Sequence, residues 1–164
     1  LATMLARLVR PPTYPHFPAE PSQEQRAVDW VCGACLMVRR EAIEQVGFLD
    51  EDYFMYTEET DWCYRMRQSG WLVEYLPTAK VIHWSGQSAG RLPLLRRSQL
   101  YRSKVLFMMK HRGPVLGAVF RLAILAASVA KLAFWALISL SPDSLRRENA
   151  REQMRSYALL LREL

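Results

Sequence analysis

The sequence predicts an α/β domain followed by a helical, apolar and basic tail. Apolar runs typical of strands alternate with two short helical segments, each ended by a glycine. The resulting order of strand, helix, helix, strand and strand is typical of α/β or α+β domains. The charge then changes along the chain. Residues 1–91 hold 9 Lys or Arg against 12 Asp or Glu, whereas residues 92–164 hold 13 against 4.

The composition excludes several classes of protein. With 164 residues, of which 51% are hydrophobic, the chain is long enough to bury a core and too apolar to be disordered throughout. Three cysteines, Cys32, Cys35 and Cys63, argue against a disulfide framework and favour a reducing compartment. Because the chain begins with Leu1 and shows no signal-peptide pattern, we expect a piece of a longer protein, with part of any active site upstream.

The chain divides into three predicted regions. Residues 1–27 contain a proline-rich run that favours an irregular connection. Residues 28–91 form the predicted α/β region, and residues 92–164 form the tail. Within residues 28–91, an apolar run at 31–38 predicts a buried strand. Gly33 interrupts this run, which indicates a bulge or a close approach of the backbone to another group.

Two helices and two strands complete the α/β region. The segment at residues 40–46 predicts a helix ended by Gly47, and a second helix is expected from Glu58 or Glu59 to about residue 69, ended by Gly70. Thr57 is the expected N-cap of the second helix. Two short strands are expected at residues 71–77 and 79–84, separated by a turn.

Three carboxylates lie in the first turn of the second helix: Glu58, Glu59 and Asp61. Asp61 and Arg65 are four residues apart, a spacing that suits an ion pair. Glu59 points about 100° away from Glu58 along the helix. One carboxylate is therefore expected to be structural and another free to face a cleft. The alternative is an acidic turn that only stabilises its helix through the helix dipole.

The residues around these carboxylates form a spaced pattern. It consists of Gly33-Ala34, Arg39-Arg40-Glu41-Ala42, Val46-Gly47, Asp50-Glu51, Phe54, Glu58-Glu59-Thr60-Asp61, Arg65, Gly70-Trp71, Pro77-Thr78-Ala79, His83, Gly86 and Ser88. This pattern closely resembles the C-terminal half of the catalytic domain in family-2 glycosyltransferases, especially the rhamnosyltransferase-like branch. The resemblance covers about residues 28–91.

The resemblance implies part of a GT-A fold, a Rossmann-like domain that binds a nucleotide-sugar donor. In that family the second residue of the acidic pair removes the proton from the acceptor hydroxyl, and the configuration at the sugar carbon inverts. That position is Glu59 here, where many relatives have Asp. Glu58 and Asp61 are expected to support it. A carboxylate suits the role because it needs only to accept a proton as the transition state forms.

Further site residues are expected around this base. Gly33, Trp30, Trp84 and Arg65 are the candidates for substrate binding, since tryptophan rings stack on sugar faces; core packing is the alternative for the tryptophans. The resemblance implies that His83 helps to hold a divalent metal, Mn²⁺ or Mg²⁺, near the donor diphosphate, with a structural histidine as the alternative. That site requires an Asp-x-Asp segment, which does not precede this region in the sequence.

The Cys32–Cys35 pair has the C-x-x-C spacing of redox and zinc sites. A redox site needs the pair at a helix N-terminus, and a zinc site needs a fourth ligand beyond the three cysteines. Neither is evident, so we expect the cysteines to be small buried hydrophobic residues.

The tail contains a basic amphipathic segment at 92–113, an apolar segment at 115–140 and a charged segment at 141–164. The apolar segment is long enough to cross a bilayer, but Arg121, Ser128, Lys131 and Ser139 form a narrow polar stripe along it. It could lie in the membrane interface or cross the membrane, and interfacial attachment to anionic lipid is favoured. A core helix of a soluble protein is the third reading.

The predicted function is inverting transfer of a sugar from a nucleotide-sugar to a lipid-linked or polysaccharide acceptor, in the synthesis of cell-wall or other cell-surface glycans. The expected location is the cytoplasmic face of the cell membrane, as a peripheral or single-pass protein. The alternative is a non-catalytic, membrane-bound interaction module that keeps the fold. Nucleic acid is not an expected partner, because no groove-reading motif accompanies the basic residues.

Overall fold

The computed structural model describes residues 24–84 and 93–164, and within these the chain forms two compact units. The first unit holds residues 24–53 and 58–83, and the second holds residues 54–57, 84 and 93–164. Most of the predicted proline-rich connection, residues 1–23, lies outside the described residues, as do residues 85–92. Gly86 and Ser88 of the sequence pattern therefore lie outside them as well.

The first unit contains two helices and two very short strands. In chain order they are β1 (Arg26–Ala27), α1 (Arg40–Val46), α2 (Glu58–Gln68) and β2 (Glu74–Tyr75). Both predicted helices are confirmed, and Gly47 and Gly70, which follow them, have φ angles of 80° and 89°. Thr57 directly precedes α2 with a φ of 73°; its capping hydrogen bond stays a prediction.

The sheet is much smaller than the sequence predicts. β1 and β2 pair antiparallel, with Arg26 opposite Tyr75 and Ala27 opposite Glu74. The strands predicted at residues 31–38 and 79–84 were wrong, and the one at 71–77 is reduced to β2. A buried parallel strand needs neighbours beside it and layers on both faces. The described residues place no strand beside 31–38, where Met37 is 98% exposed. The described residues are mostly helical, and they contain no Rossmann-like sheet.

The first unit is built around one side of α2. Trp62, Cys63 and Met66 are buried there, and Tyr53 and Val73 are buried in the segments before and after the helix. The indole nitrogen of Trp62 donates a hydrogen bond to the carbonyl of Gly47 at 2.8 Å. Gly47 reaches this position with a φ of 80° and a ψ of −178°, a conformation that is essentially restricted to glycine. The turn after α1 is thus fixed to the middle of α2.

The second unit is a set of three helices that pack against one another. They are α3 (Pro93–Arg112), α4 (Pro114–Ile138) and α5 (Ser144–Glu163). The three segments predicted for the tail are confirmed as helices. Only Gly113, with a φ of 90°, separates α3 from α4, and Pro114 occupies the first turn of α4, where its missing N–H costs nothing. α5 begins later than the predicted Ser141–Pro142 start, because the Asp143 side chain caps the backbone N–H groups of Leu145 and Arg146.

The core of the second unit joins all three helices. Val105 of α3, Ile124 of α4, and Tyr157 and Leu160 of α5 are buried together. The guanidinium of Arg97 lies 4.0 Å from the centre of the Tyr157 ring and also donates to Gln153 at 2.8 Å. α3 and α5 therefore meet through a polar contact at the edge of an apolar core.

We predict that Leu160→Ala lowers the free energy of unfolding of the helical unit by about 2–5 kcal/mol, because the side chain is fully buried and its removal leaves a cavity. Urea unfolding followed by far-ultraviolet circular dichroism measures the change. Leu145→Ala is the matched control: Leu145 is mostly exposed, so its truncation is expected to cost less than about 0.5 kcal/mol. Equal effects of the two substitutions would contradict the assignment of Leu160 to the core.

Candidate functional site

Glu59 lies under residues 29–33, a segment that runs along α2 in the opposite direction. Three contacts define this arrangement. Asp29 forms an ion pair with Arg67, the backbone of Val31 forms a hydrogen bond to the Cys63 thiol, and the backbone of Gly33 forms one to the Glu59 carboxylate. The three helical residues are four apart and share one face. The segment was predicted as a strand, but it covers this face instead.

Gly33 makes the close backbone approach that the sequence predicts. A β-carbon placed on Gly33 would stand 3.6 Å from the β-carbon of Glu59 and 3.9 Å from its carboxyl carbon. Those are ordinary contact distances, so a side chain would fill the space beside the carboxylate. Glycine leaves this space open and still brings a backbone donor to Glu59.

The environment of Glu59 is suited to a base. Burial raises its pKa above the usual value of 4.5, and the negative charge of Glu58 raises it further. Hydrogen bonds from its own backbone and from Gly33 act in the opposite direction, because they favour the ionised form. Burial is the largest of these causes. The carboxylate is therefore held in place and is more ready to take a proton than an ordinary surface glutamate.

One oxygen of this carboxylate has no hydrogen-bond donor among the described residues. Oε2 of Glu59 is buried and accepts no hydrogen bond from the described residues, and the same holds for Oε2 of Glu58. A buried acceptor without a donor is costly, on the order of 1–3 kcal/mol. Such a group fits a site that is completed by a hydroxyl from outside, so the structure brings Glu58, Glu59 and Gly33 together at one end of α2.

Asp61 belongs to a different environment on the opposite side of α2. Its carboxylate is fully buried and accepts a hydrogen bond from Nε of Arg65 at 2.8 Å, which confirms the predicted ion pair. The other guanidinium nitrogens of Arg65 donate to the carbonyls of Val46 at 2.5 Å and Phe48 at 2.7 Å. Arg65 thereby ties the end of α1 to α2. Its predicted role in substrate binding is not tested by these contacts and stays a prediction.

Tyr53 is a second partner of Asp61 that sequence reasoning missed. Its hydroxyl donates to the Asp61 carboxylate at 3.3 Å. Burial, and then the negative charge of Asp61, raise the pKa of Tyr53 far above its usual value, so the phenol stays protonated and remains a donor. No spacing rule connects these residues, because Tyr53 lies in the loop before α2 rather than on the helix.

The remaining predicted site residues are Trp30, His83 and Trp84. Trp30 is half-buried within the covering segment, residues 29–33, and His83 is exposed at the end of the unit. Trp84 is 75% exposed and belongs to the second unit. Their predicted roles stay predictions.

The metal implied by the resemblance, which requires an Asp-x-Asp segment besides His83, stays an expectation. Within residues 24–84 and 93–164, no group of three or more His, Cys, Asp or Glu side chains could hold a metal ion, and His83 has no such companions. No step of the chemistry proposed below passes through a metal.

The cysteines are all unpaired thiols. Cys32 and Cys35 lie in a turn, in which the N–H of Cys35 donates to the carbonyl of Cys32 at 3.4 Å. Cys35 is exposed, so the expectation that both residues are buried was wrong, because the strand that would have buried them does not form. Cys63 is buried, and burial raises the pKa of its thiol. A raised thiol pKa disfavours the reactive thiolate.

Comparisons with known proteins point to glycosyl transfer. The chain is 43% identical over 95 residues to an N-acetylglucosaminyl-diphospho-decaprenol L-rhamnosyltransferase of Mycobacterium tuberculosis, a match that covers 57% of this chain and 30% of that protein. It is 34% identical over 68 residues to the rhamnosyltransferase WbbL of Escherichia coli, covering 42% and 26%. It is 32% identical over 88 residues to the dTDP-rhamnosyl transferase RfbF of Shigella flexneri, covering 49% and 30%.

The matched part is thus less than a third of the length of each of these relatives. No protein-family model matches the chain, and no solved structure matches it. The similarity supports the glycosyltransferase resemblance of the sequence pattern, and the GT-A fold stays an expectation.

We predict that Arg65→Ala lowers the local opening free energy of α1 and α2 by about 3–5 kcal/mol, because it leaves the buried Asp61 carboxylate without its cation. Hydrogen–deuterium exchange of peptides from residues 40–68 measures this loss of protection.

Arg67→Ala is the matched control, since it removes the same side chain two positions along the helix. Arg67 and its partner Asp29 are both more than 40% exposed, so the change is expected to cost at most about 1 kcal/mol. If Arg65→Ala cost no more than Arg67→Ala, Arg65 would not have the structural role assigned to it.

Proposed function

We propose that this chain carries the acceptor-activating part of a glycosyltransferase, with Glu59 as the general base. The observation that carries the proposal is the environment of Glu59. A helix-borne carboxylate with a raised pKa is fixed by the backbone of Gly33 and keeps one buried oxygen without a donor among the described residues. The similarity to named rhamnosyltransferases supports the reaction class.

The proposed reaction is a single displacement. Oε2 of Glu59 accepts the proton of the acceptor hydroxyl while the hydroxyl oxygen forms a bond to the anomeric carbon of the donor sugar. The bond between that carbon and the donor phosphate breaks, and the nucleoside diphosphate leaves with the electron pair. Attack opposite to the leaving group inverts the configuration. Glu59 ends the step protonated and returns its proton to solvent.

The relatives' names suggest which substrates to test first. One is named for transfer of rhamnose from dTDP-rhamnose, and another for an acceptor that is a decaprenyl diphosphate bearing N-acetylglucosamine. For this chain we propose a nucleotide-linked deoxyhexose donor and a lipid-linked or polysaccharide acceptor. Because the chain spans less than a third of those relatives, donor binding is expected to involve residues outside it.

Glu58 and Asp61 have different proposed roles. Glu58 lies beside the base, and its charge raises the pKa of Glu59. Asp61 does not face the acceptor; it orders α2 through Arg65 and Tyr53. Asp61 is therefore proposed as a positioning residue rather than a catalytic one.

We predict that Glu59→Gln lowers kcat about 10²- to 10⁴-fold, the usual contribution of a general base. Gln keeps the shape of the side chain but cannot accept the proton. The measurement is release of nucleoside diphosphate by the full-length natural protein that contains this sequence, with dTDP-rhamnose and a polyprenyl-diphosphate N-acetylglucosamine as substrates. Glu44→Gln, an exposed substitution of the same kind on α1, is the control and is expected to leave turnover unchanged.

Stability distinguishes a base from a structural group. A carboxyl whose pKa is raised by folding destabilises the folded state at neutral pH, where it is ionised. Glu59→Gln is therefore expected to unfold at the same or a higher urea concentration than the unsubstituted protein. Near-normal turnover of Glu59→Gln would exclude Glu59 as the base. A wild-type protein that binds both substrates and never turns over would favour the non-catalytic interaction module.

We predict that kcat/KM falls on the acid side at a pH above the ordinary glutamate value, because the base must be ionised and its pKa is raised. Glu58→Gln removes the neighbouring negative charge and is expected to move this acid limb to lower pH, with turnover retained. The pH dependence of kcat/KM for the two proteins measures the shift. If the acid limb of Glu58→Gln stayed at the same pH, the charge of Glu58 would not raise the pKa of the group that controls kcat/KM.

A further inference from the structure

The surface of the second unit carries a continuous apolar face that the three-helix packing leaves uncovered. We call it the outer face of α4. Its large members are between 55% and 77% exposed and are Val115, Val119, Leu122, Val129 and Leu137. At 100° per residue these five side chains fall within about 80° of one another. Ala126 and Ala133, which are also exposed, lie between them on the same face.

The opposite face of α4 packs against α3 and α5. Gly117, Ile124 and Ser128 are buried there. A β-carbon at Gly117 would stand 3.0 Å from the backbone of Met109, so α3 approaches α4 very closely at this point. Ser128 donates its hydroxyl proton to the carbonyl of Ile124 within the helix, which satisfies the most buried member of the predicted polar stripe.

Positive charge is abundant in the second unit, and part of it lies near the two ends of α4. The second unit exposes many cations, on all three helices: Arg96, Arg102, Lys110, Arg112, Arg121, Lys131, Arg146, Arg151, Arg155 and Arg162. Lys110 and Arg112 stand just before α4 begins, and Arg146 follows soon after it ends. Residues 92–164 have only four acidic side chains. An apolar helix face with cations near both of its ends is complementary to an anionic lipid interface, which offers acyl chains and phosphates.

We propose that the outer face of α4 is an in-plane docking surface for an anionic membrane. α4 lies parallel to the membrane plane, its apolar side chains enter the boundary between headgroups and acyl chains, and the lysine and arginines near its ends, Lys110, Arg112 and Arg146, contact lipid phosphates. This surface is separate from Glu59, and the proposal does not depend on the proposed reaction.

The same structure argues against α4 crossing the bilayer. By length and composition α4 could span a membrane, and it is the one such helix among the described residues, with a mean hydropathy of 1.9. However, α3 and α5 pack along it. In this arrangement a crossing would carry Glu148, Arg151, Glu152 and Arg155 of α5 into the hydrocarbon. Each charged side chain costs about 2.5–3.5 kcal/mol at the bilayer centre.

The first test is co-sedimentation of the 164-residue chain with vesicles. We expect binding to vesicles of phosphatidylcholine with phosphatidylglycerol, and much weaker binding to phosphatidylcholine alone or in high salt. Leu122→Glu, on the outer face, is expected to lower the partition coefficient roughly tenfold or more, because it places a charge where apolar contact is proposed. Leu137→Glu is expected to act in the same way.

Leu72→Glu is the matched control, since it makes the same exchange at a leucine of similar exposure in the first unit, and its net charge equals that of Leu122→Glu. It is expected to bind vesicles as the unsubstituted chain does. Circular dichroism verifies that all variants remain helical. Absence of binding to the anionic vesicles, or equal binding by Leu122→Glu and Leu72→Glu, would overturn the proposal.

A second test separates docking from crossing. The chain is expressed in cells, and the membrane fraction is washed with alkaline carbonate. In-plane docking predicts release of the chain, and retention would overturn the proposal in favour of a crossing. Analytical ultracentrifugation without lipid tests whether a second copy of the chain covers the outer face instead. If the chain dimerised, and Leu122→Glu abolished the dimer but not vesicle binding, a second copy rather than lipid would cover the outer face.

Discussion

The buried carboxylate of Asp61 is the constraint on which the first unit depends. A fully buried anion is tolerated only where cations and donors surround it, and Arg65 and Tyr53 supply these. The same guanidinium reaches the carbonyls at the end of α1, so one side chain neutralises the carboxylate and fixes the relation of the two helices. The described residues contain only a two-stranded sheet. This polar cluster therefore holds α1 and α2 together, a role that a central sheet has in larger α/β domains.

The two sides of α2 differ in their environments. On the side with Asp61 and Arg65 the carboxylate has its partners within the unit. The side with Glu59 also carries the buried Trp62, Cys63 and Met66. There the covering segment, residues 29–33, offers Glu59 one backbone donor, and one oxygen of Glu59 has no partner among the described residues. Neighbouring carboxylates in one helical turn thus differ in environment. Asp61 is stabilised as an ion, whereas Glu59 is partly desolvated beside the charge of Glu58.

The sequence predicts the local features well because they depend on neighbours along the chain. Both helices of the first unit, the positive φ of Gly47 and the Asp61–Arg65 pair follow from periodicity, terminal glycines and a four-residue spacing. The closeness of Gly33 to another group was also expected, although its partner was not. The strand at residues 31–38 failed because an apolar run does not show whether a sheet or a helix will receive it. Here only its first part, Val31 and Gly33, contacts α2, and the contact between Tyr53 and Asp61 likewise depends on tertiary packing alone.

The second unit separates apolar and charged surfaces more sharply than a soluble bundle requires. A helix in the core of a soluble protein is mostly buried, yet only 17% of the most apolar stretch of α4 is buried by its neighbours. The polar stripe that the sequence shows along this segment does not divide the exposed face: Ser128 turns inward, and Lys131 lies 5.8 Å from the Tyr157 ring on α5. The outer face is thereby left free of charge, while Lys110, Arg112 and Arg146 lie near the two ends of α4. To bury this face against protein, the chain would need another apolar surface of equal length. A lipid interface instead matches both the apolar side chains of the face and the cations near the ends of α4.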